Sequence, residues 1–427
     1  MAQTGTVAAA ERAEALLEEL ENSWKRTHDK DLLPNAQTFA SVLNAWAKSG
    51  SPDATDRADA LWTRMQDLFQ ETKSDDLKPN VIVFAQLFQI LSKSRSSQAA
   101  VRAKELLQKM NGLHRAGYPN VRPDATIYAY VVDTFTKSGV ENAAELATHM
   151  LNDIEEGYHA GMGELKPTGL LYSAVIQSYA KSASKEGAQL AEGLLQRTKE
   201  LYQQGKLYAK PTTLFYNAVI DAHARSNGGR AAAKRAEELL KEMEVRGRAG
   251  DSELRPKTRS FNAAILAWKN SNATDAPQCA ESLLKRMNER CKAGEEECRP
   301  DRVTINSIIG VWAKSKQEAA SERAEQFLRF METNYDNGDH SMKPDAYSFN
   351  SVIDAYSRSR KKGAARRAHG LYERMKRLYE AGDKALKPDI ITLTSLRNAW
   401  GRSGDEEAGE KLQHIEDLIS LSKQDPL

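Results

Sequence analysis

KPDAYSFNSVIDAYSRS, Lys343 to Ser359, decides how this chain is read, because near copies of it return every 44 or 45 residues. It recurs as KPTTLFYNAVIDAHARS from Lys210 to Ser226 and as RPDRVTINSIIGVWAKS from Arg299 to Ser315. A fixed period of that length is the signature of a solenoid, in which each unit stacks only on its neighbours. The question for such a chain is what its long repeated surface holds, not where a single active site lies.

Working outward from that stretch, the copies align at the residue after each Pro-Xaa. Units then begin at Ala36, Val81, Ala125, Gly169, Thr213, Thr258, Arg302, Ala346 and Ile390. The proline just upstream ends one helix and launches the next, since proline is tolerated at a helix start but not inside one. Each unit opens with a predicted helix of about fourteen residues, apolar at positions 4, 7, 8 and 11, which is one helical face. Position four is Phe39, Phe84, Tyr128, Tyr172, Tyr216, Phe261, Ile305, Phe349 and Leu393; position eleven is aromatic at Trp46, Tyr179, Trp268, Trp312, Tyr356 and Trp400, among others. An aromatic stripe at this spacing reads as the seam between helices. A second helix follows with an Ala-x-x-Leu-Leu-x-x-Met pattern, as at Ala236, Leu239, Leu240 and Met243, and then a Gly-containing polar loop. The expected organisation is an N-terminal half-repeat or cap helix over 1–35, eight tandem repeats over 36–389, and a ninth, truncated repeat with a C-terminal cap over 390–427.

Composition narrows the function classes. The 427 residues carry 61 basic and 59 acidic side chains, a net charge of +2, so an electrostatic argument depends on where charges sit. No apolar run is long enough to span a bilayer, and no membrane partner is expected. The N-terminal MAQTGTVAAAERAEALLEEL has neither a secretory apolar core nor an Arg-rich, acid-poor transit character, as expected of a cytosolic protein or of a mature or excerpted form. Cys279, Cys291 and Cys298 fall in one repeat without CxxC or CxxH spacing and read as free thiols. No Gly-rich phosphate loop, GxSxG elbow or HExxH is present, and the eight histidines are scattered. Neither catalytic residues nor a metal or cofactor is expected, and the chain reads as a non-enzyme.

Pro-Asp, then Tyr-Asn or Phe-Asn, then Val-Ile-x-Ala-Tyr-x-Arg/Lys-Ser resembles the pentatricopeptide repeat over roughly residues 9 to 421. The units here are about nine residues longer than the 35 typical of that family, with the surplus in the second helix and its loop. The resemblance implies an all-α fold, a right-handed superhelical α-solenoid of stacked helix-turn-helix repeats whose first helices line a concave groove. It further implies that single-stranded RNA lies in that groove, one nucleotide per unit, for transcript stabilisation, processing or translation control. It points to a mitochondrion or chloroplast, although no targeting segment is visible.

Carried over by position, the base-reading pairs are the fifth residue of a unit and the residue just before the next unit. They are Ala40 with Asn80, Ala85 with Asp124, Ala129 with Thr168, Ser173 with Thr212, Asn217 with Lys257, Asn262 with Asp301, Asn306 with Asp345, and Asn350 with Asp389; Thr394 has no partner in register. An amide and a carboxylate together can read a base edge. The resemblance gives Asn/Asp a preference for uracil, so a U-rich segment is expected toward the 3′ end of the strand. Asn at position five also has a purely structural reading as a capping or turn residue, which its place inside the helix explains poorly. Position thirteen supplies a recurrent cation at Lys48, Lys93, Lys137, Lys181, Arg225, Lys314, Arg358 and Arg402, broken by Asn270, and position fourteen is serine in all nine units. Such a ladder suits phosphates, although a cation near a helix C-terminus also complements the helix dipole. Position two is apolar at Ile82, Leu170, Leu214, Val303 and Ile391, with Tyr347 among the exceptions. The rival reading is a protein-binding scaffold of tetratricopeptide or HEAT kind, for which this period is also allowed; protein partners would then sit on the outer helices.

Overall fold

The computed structural model describes residues 5–94, 96–359 and 361–424 of the chain. Among the described residues the regular structure is entirely helical. Two compact units emerge, one reaching Ser182 and adding Gln189–Ala218, the other made of Ala183–Ala188 and the residues from Val219 onward. The first carries α1 (Val7–Thr27), α2 (Ala36–Ser49), α3 (Ala54–Thr72), α4 (Val81–Lys93), α5 (Ser97–Arg115), α6 (Ala125–Lys137), α7 (Ala143–His159) and α8 (Gly169–Lys181). Residues of α9 (Lys185–Gln203) and α10 (Thr213–Arg225) are shared between the two. The second carries α11 (Gly229–Arg248), α12 (Thr258–Ser271), α13 (Ala276–Lys292), α14 (Arg302–Lys314), α15 (Ala320–Asp336), α16 (Ala346–Arg358), α17 (Ala364–Glu380), α18 (Ile390–Gly401) and α19 (Ala408–Gln424).

Even-numbered helices are the repeated first helices, and odd-numbered ones are the longer second helices. Helices α2, α4, α6 and α8 pack in series in the first unit and α12, α14, α16 and α18 in the second, each also against a neighbouring second helix. This is the serial packing of an α-solenoid. Its core is the predicted apolar face. Phe39, Phe84, Tyr172, Phe261, Ile305 and Phe349 at position four are all fully enclosed, as are Leu61, Leu239 and Leu283 of the second helices. Tyr128 departs from this, remaining half-buried while its neighbour Ile127 is enclosed.

The loop between units is less polar than its sequence suggests. After each second helix from α5 to α17 the chain turns at a glycine with positive φ, such as Gly250 at 110° or Gly382 at 108°, where an L side chain would be strained. A single 3-10 turn then precedes the proline. Its apolar residue plugs the core: Leu77, Val121, Leu254, Cys298, Met342 and Leu386 are at most 4% exposed. Cys298 thus occupies a core position shared by Leu and Met, which accounts for the thiol without any chemistry.

Several of the charges that cancel in the total pair between second helices. Glu155 receives Arg197 Nη2 at 2.6 Å, Glu281 receives Arg323 through two bonds of 2.7 and 2.8 Å, and Glu332 receives Arg374 at 2.5 Å. Each partner lies 42 residues on, one period less two, so the rung joins consecutive second helices. Two of these glutamates also anchor the seam: Trp312 Nε1 donates to Glu281 at 2.9 Å and the Tyr172 hydroxyl to Glu155 at 2.6 Å, as Trp46 Nε1 does to Glu14 at 2.9 Å. A buried indole N–H finds a partner in this way.

Candidate nucleic-acid interface

The residue before each unit is the N-cap of the first helix. Asn35, Asn80, Asp124, Thr168, Asp301, Asp345 and Asp389 each accept a backbone N–H two or three residues ahead. At Asn35, Asp301, Asp345 and Asp389 the third helical residue, Thr38, Thr304, Ser348 or Thr392, accepts the cap's own N–H in return. The structural role weighed for asparagine at position five therefore belongs to the other member of the pair. The signal was present in the sequence as Asp-x-x-Thr or Asp-x-x-Ser just after Pro300, Pro344 and Pro388.

Three pairs close into one repeated constellation in the second compact unit. Asn262 Nδ2 donates to Asp301 Oδ1 at 3.2 Å, Asn306 Nδ2 to Asp345 Oδ1 at 3.2 Å, and Asn350 Nδ2 to Asp389 Oδ1 at 3.1 Å. In each case the hydroxyl at position three of the next unit donates to the asparagine Oδ1 at 2.7 Å: Thr304, Ser348 and Thr392 respectively. The amide is thereby oriented, with its nitrogen toward the carboxylate and its oxygen toward the hydroxyl. Each asparagine keeps one N–H and one lone pair, and Asp301 and Asp389 keep Oδ2, whereas that of Asp345 is taken up by an arginine. Asn306 and Asn350 are 8% exposed, and Asn262 somewhat more. Arg302 Nε approaches Asp345 Oδ2 at 3.3 Å.

The remaining pairs are not alike. Ala40 and Ala129 are buried and offer no polar atom. Ser173 is buried and accepts from Gln177 Nε2 at 3.1 Å. Asn217 is 5% exposed, and its Oδ1 is buried without a hydrogen-bond partner. Lys257 has no acceptor to cap α12; its Nζ instead meets Glu297 at 2.9 Å. Thr394 lies half-buried in α18.

Beside these positions, one helical turn back, position two projects outward. Ile82, Leu170, Leu214, Val303, Tyr347 and Ile391 are 46–60% exposed, although each sits on a helix whose other apolar side chains are mostly enclosed. Large apolar groups recurring on an open face at one register position are not explained by packing.

The cations at position thirteen have a structural task that the sequence did not disclose. Lys137 Nζ donates to the Ser92 carbonyl at 2.7 Å, Lys181 Nζ to that of Thr136 at 2.9 Å, and Arg402 Nη1 to that of Ser357 at 3.1 Å; Lys93 does the same with Ala47. Each acceptor is position twelve of the preceding first helix, one of its orphan C-terminal carbonyls. Asn270, the apparent gap in the ladder, keeps this bond: its Nδ2 donates to the Ala224 carbonyl at 2.9 Å. Lys137 and Arg358 also pair with Asp133 and Asp354 four residues back, at 2.7 and 2.9 Å. Arg225 faces Asp221, whose carboxyl is pushed up by burial against the pull of Arg259 and Arg225. Lys48 and Lys314 are exposed. Serine at position fourteen closes the helix: Ser49, Ser182, Ser226, Ser271 and Ser403 donate to the carbonyl three residues back. In these five units the serine is a capping residue, whereas Ser138 donates to the Ser96 carbonyl at 2.9 Å and Ser315 Oγ is buried without a partner.

Among the described residues no group of three or more His, Cys, Asp or Glu side chains could hold a metal ion. Nor is any of their helices long and apolar enough to cross a membrane.

No protein-family profile matches this chain, and no curated protein matches it. Among solved structures, the crystal structure of the pentatricopeptide repeat protein PPR10 from maize is similar at 16% identity and a TM-score of 0.44. The alignment covers 96% of this chain and 52% of that one, so this chain spans about half its length. The architecture rests on the helix pairs themselves: packed in series within each compact unit, they make the chain an α-helical-repeat protein of the solenoid type.

Proposed function

We propose that the chain binds single-stranded RNA along the exposed face of its first helices and selects uracil at the units carrying Asn262, Asn306 and Asn350. The observation that carries this reading is a single juxtaposition, repeated at one period. An oriented amide and a carboxylate stand beside position two, which is an exposed Val303 or Tyr347 in the Asn306 and Asn350 units and Arg259 in the Asn262 unit. An apolar side chain offers a flat base something to lie against, and the polar pair offers its edge something to bond. The free N–H of the amide suits a carbonyl acceptor, and the second carboxylate oxygen, shared with Arg302 at Asp345, suits an N–H donor. Uracil presents both on one edge, whereas cytosine has an acceptor nitrogen and an amino group there. Lys48 and Lys314 add charge where a phosphate backbone would run. Bound in this manner, the protein acts on particular transcripts by occupancy, in stabilisation, processing or translation, and in an organelle as the family resemblance implies.

The test is binding to oligo(U) and oligo(A) single strands at two salt concentrations. Tighter binding to oligo(U), weakening as salt rises, is expected. Binding without base preference or salt dependence would overturn the reading and favour a scaffold for proteins.

A further inference from the structure

Three consecutive units of the second compact unit depart from the repeat at positions that meet in space. At the end of α12 the usual order is changed: position thirteen holds Asn270, and the cation has moved to Lys269 at position twelve. In α14, position nine is Gly310, the only glycine at that position in nine units. In α16, position two is Tyr347, the only aromatic there. Lys269 Nζ reaches across α14 to donate to the Tyr347 hydroxyl oxygen at 2.6 Å, and it lies 5.2 Å from the centre of the Tyr347 ring. Its side chain passes directly over Gly310. A Cβ built there would come within 2.8 Å of Lys269 Cε and 3.1 Å of Nζ.

The division of labour between the two adjacent residues is plain. Asn270 retains the bond to the neighbouring helix end, to the Ala224 carbonyl, and needs no charge to do so. Lys269 takes the charge about a quarter-turn around the helix, onto the face where position two projects. There the ammonium has a phenol for company, and the described residues place no carboxylate within ion-pairing distance of it. One of its three donors is spent on Tyr347, leaving two. A solvent-exposed lysine ordinarily sweeps a wide volume; this one is held by a hydrogen bond, a ring face and a cleared path.

We propose that Lys269, positioned by Tyr347 over Gly310, is a fixed phosphodiester anchor that sets the register of a single strand on units six to eight. The proposal rests on the RNA-binding reading above and deepens it. The preceding asparagine on the same helix face, Asn306, lies one turn from Gly310. A phosphate held at Lys269 therefore fixes which base meets that asparagine, and a strand slipped by one nucleotide loses the anchor or the match. The three departures make sense together and not singly: the glycine clears the path, the tyrosine ends it, and the displaced lysine occupies it.

The test moves the charge without changing it. Lys269→Ala combined with Asn270→Lys restores the ordinary order of the repeat at constant net charge. We expect this double variant to bind a U-rich single strand about 3- to 10-fold more weakly at low salt, with a footprint spread over more than one register. Lys269→Met alone should also lower the slope of log affinity against log salt by about 0.7, the value for one lost phosphate contact on a single strand. Gly310→Leu, which gives position nine the residue it already has at Leu266, should block the path and reproduce the loss while the thermal midpoint stays unchanged or rises. Wild-type affinity and one sharp footprint in the double variant and in Gly310→Leu would overturn the anchor while leaving RNA binding intact. Absence of single-strand binding by the unaltered protein would remove both readings.

Discussion

Asn306 spends one amide hydrogen on Asp345 and one lone pair on Ser348, so a ligand meets a donor and an acceptor whose directions are already set. Preorganisation of this kind lowers the cost of binding, because little side-chain freedom remains to be lost. Asn306→Ala should weaken oligo(U) binding about 3- to 10-fold, as expected for one net hydrogen bond, and leave oligo(A) binding nearly unchanged. Equal losses on both strands, measured by titration, would assign Asn306 to structure alone. The cations separate in a different way. Lys137 bonds the Ser92 carbonyl and pairs with Asp133, so Lys137→Ala should cost about 1 kcal/mol of stability. Lys48 is exposed at the surface; Lys48→Ala should leave the unfolding midpoint in urea unmoved and flatten the salt dependence of binding to every sequence. A drop in stability for Lys48→Ala, or none for Lys137→Ala, would contradict this division.

At the scale of the element, the first helix and its starting residue were legible, and the hydrogen bonds that cap it were not. Apolar residues at positions 4, 7, 8 and 11 fix a face by themselves, because burial of that face is the dominant gain. The caps depend on which of two adjacent polar residues turns inward. Position five of one unit and the last residue meet only when the next unit is laid beside it, so the Asn306–Asp345–Ser348 set could not be read from one helix. The Glu–Arg rungs escaped for a related reason: Glu281 and Arg323 look like ordinary surface charges until the 42-residue offset between stacked second helices is known. Glu325 shows what such a junction adds to pH dependence. Burial raises its carboxyl, but the Tyr356 hydroxyl and Arg329 outweigh this and hold it below its ordinary value. A depressed folded value means stability present at neutral pH and lost as pH falls through the acid range. Urea unfolding of the wild type and of Glu325→Gln should therefore differ most at neutral pH and converge toward pH 3. A gap that stayed constant with pH would show that the charge of Glu325 plays no part.

For the whole molecule, near-zero net charge argued against nucleic acid only while the charges were counted rather than placed. Arg197, Arg323 and Arg374 face glutamates on neighbouring second helices, and so do not offer themselves to a phosphate backbone. Beside such rungs, cations such as Lys48, Lys269 and Lys314 remain on the first helices, and the proposed RNA binding draws on such local charge rather than on a global excess. The two sets of charges should part company as salt is raised. Partly exposed ion pairs contribute about 0–1 kcal/mol each, and the core that holds the units together is aromatic and aliphatic. Contacts to phosphates, by contrast, are released in proportion to the logarithm of salt. Between 0.1 and 1 M sodium chloride, oligo(U) affinity should fall by an order of magnitude or more while the thermal midpoint moves by only a few degrees. A midpoint that collapsed in step with binding would mean that the rungs, rather than the apolar seam, hold successive repeats together.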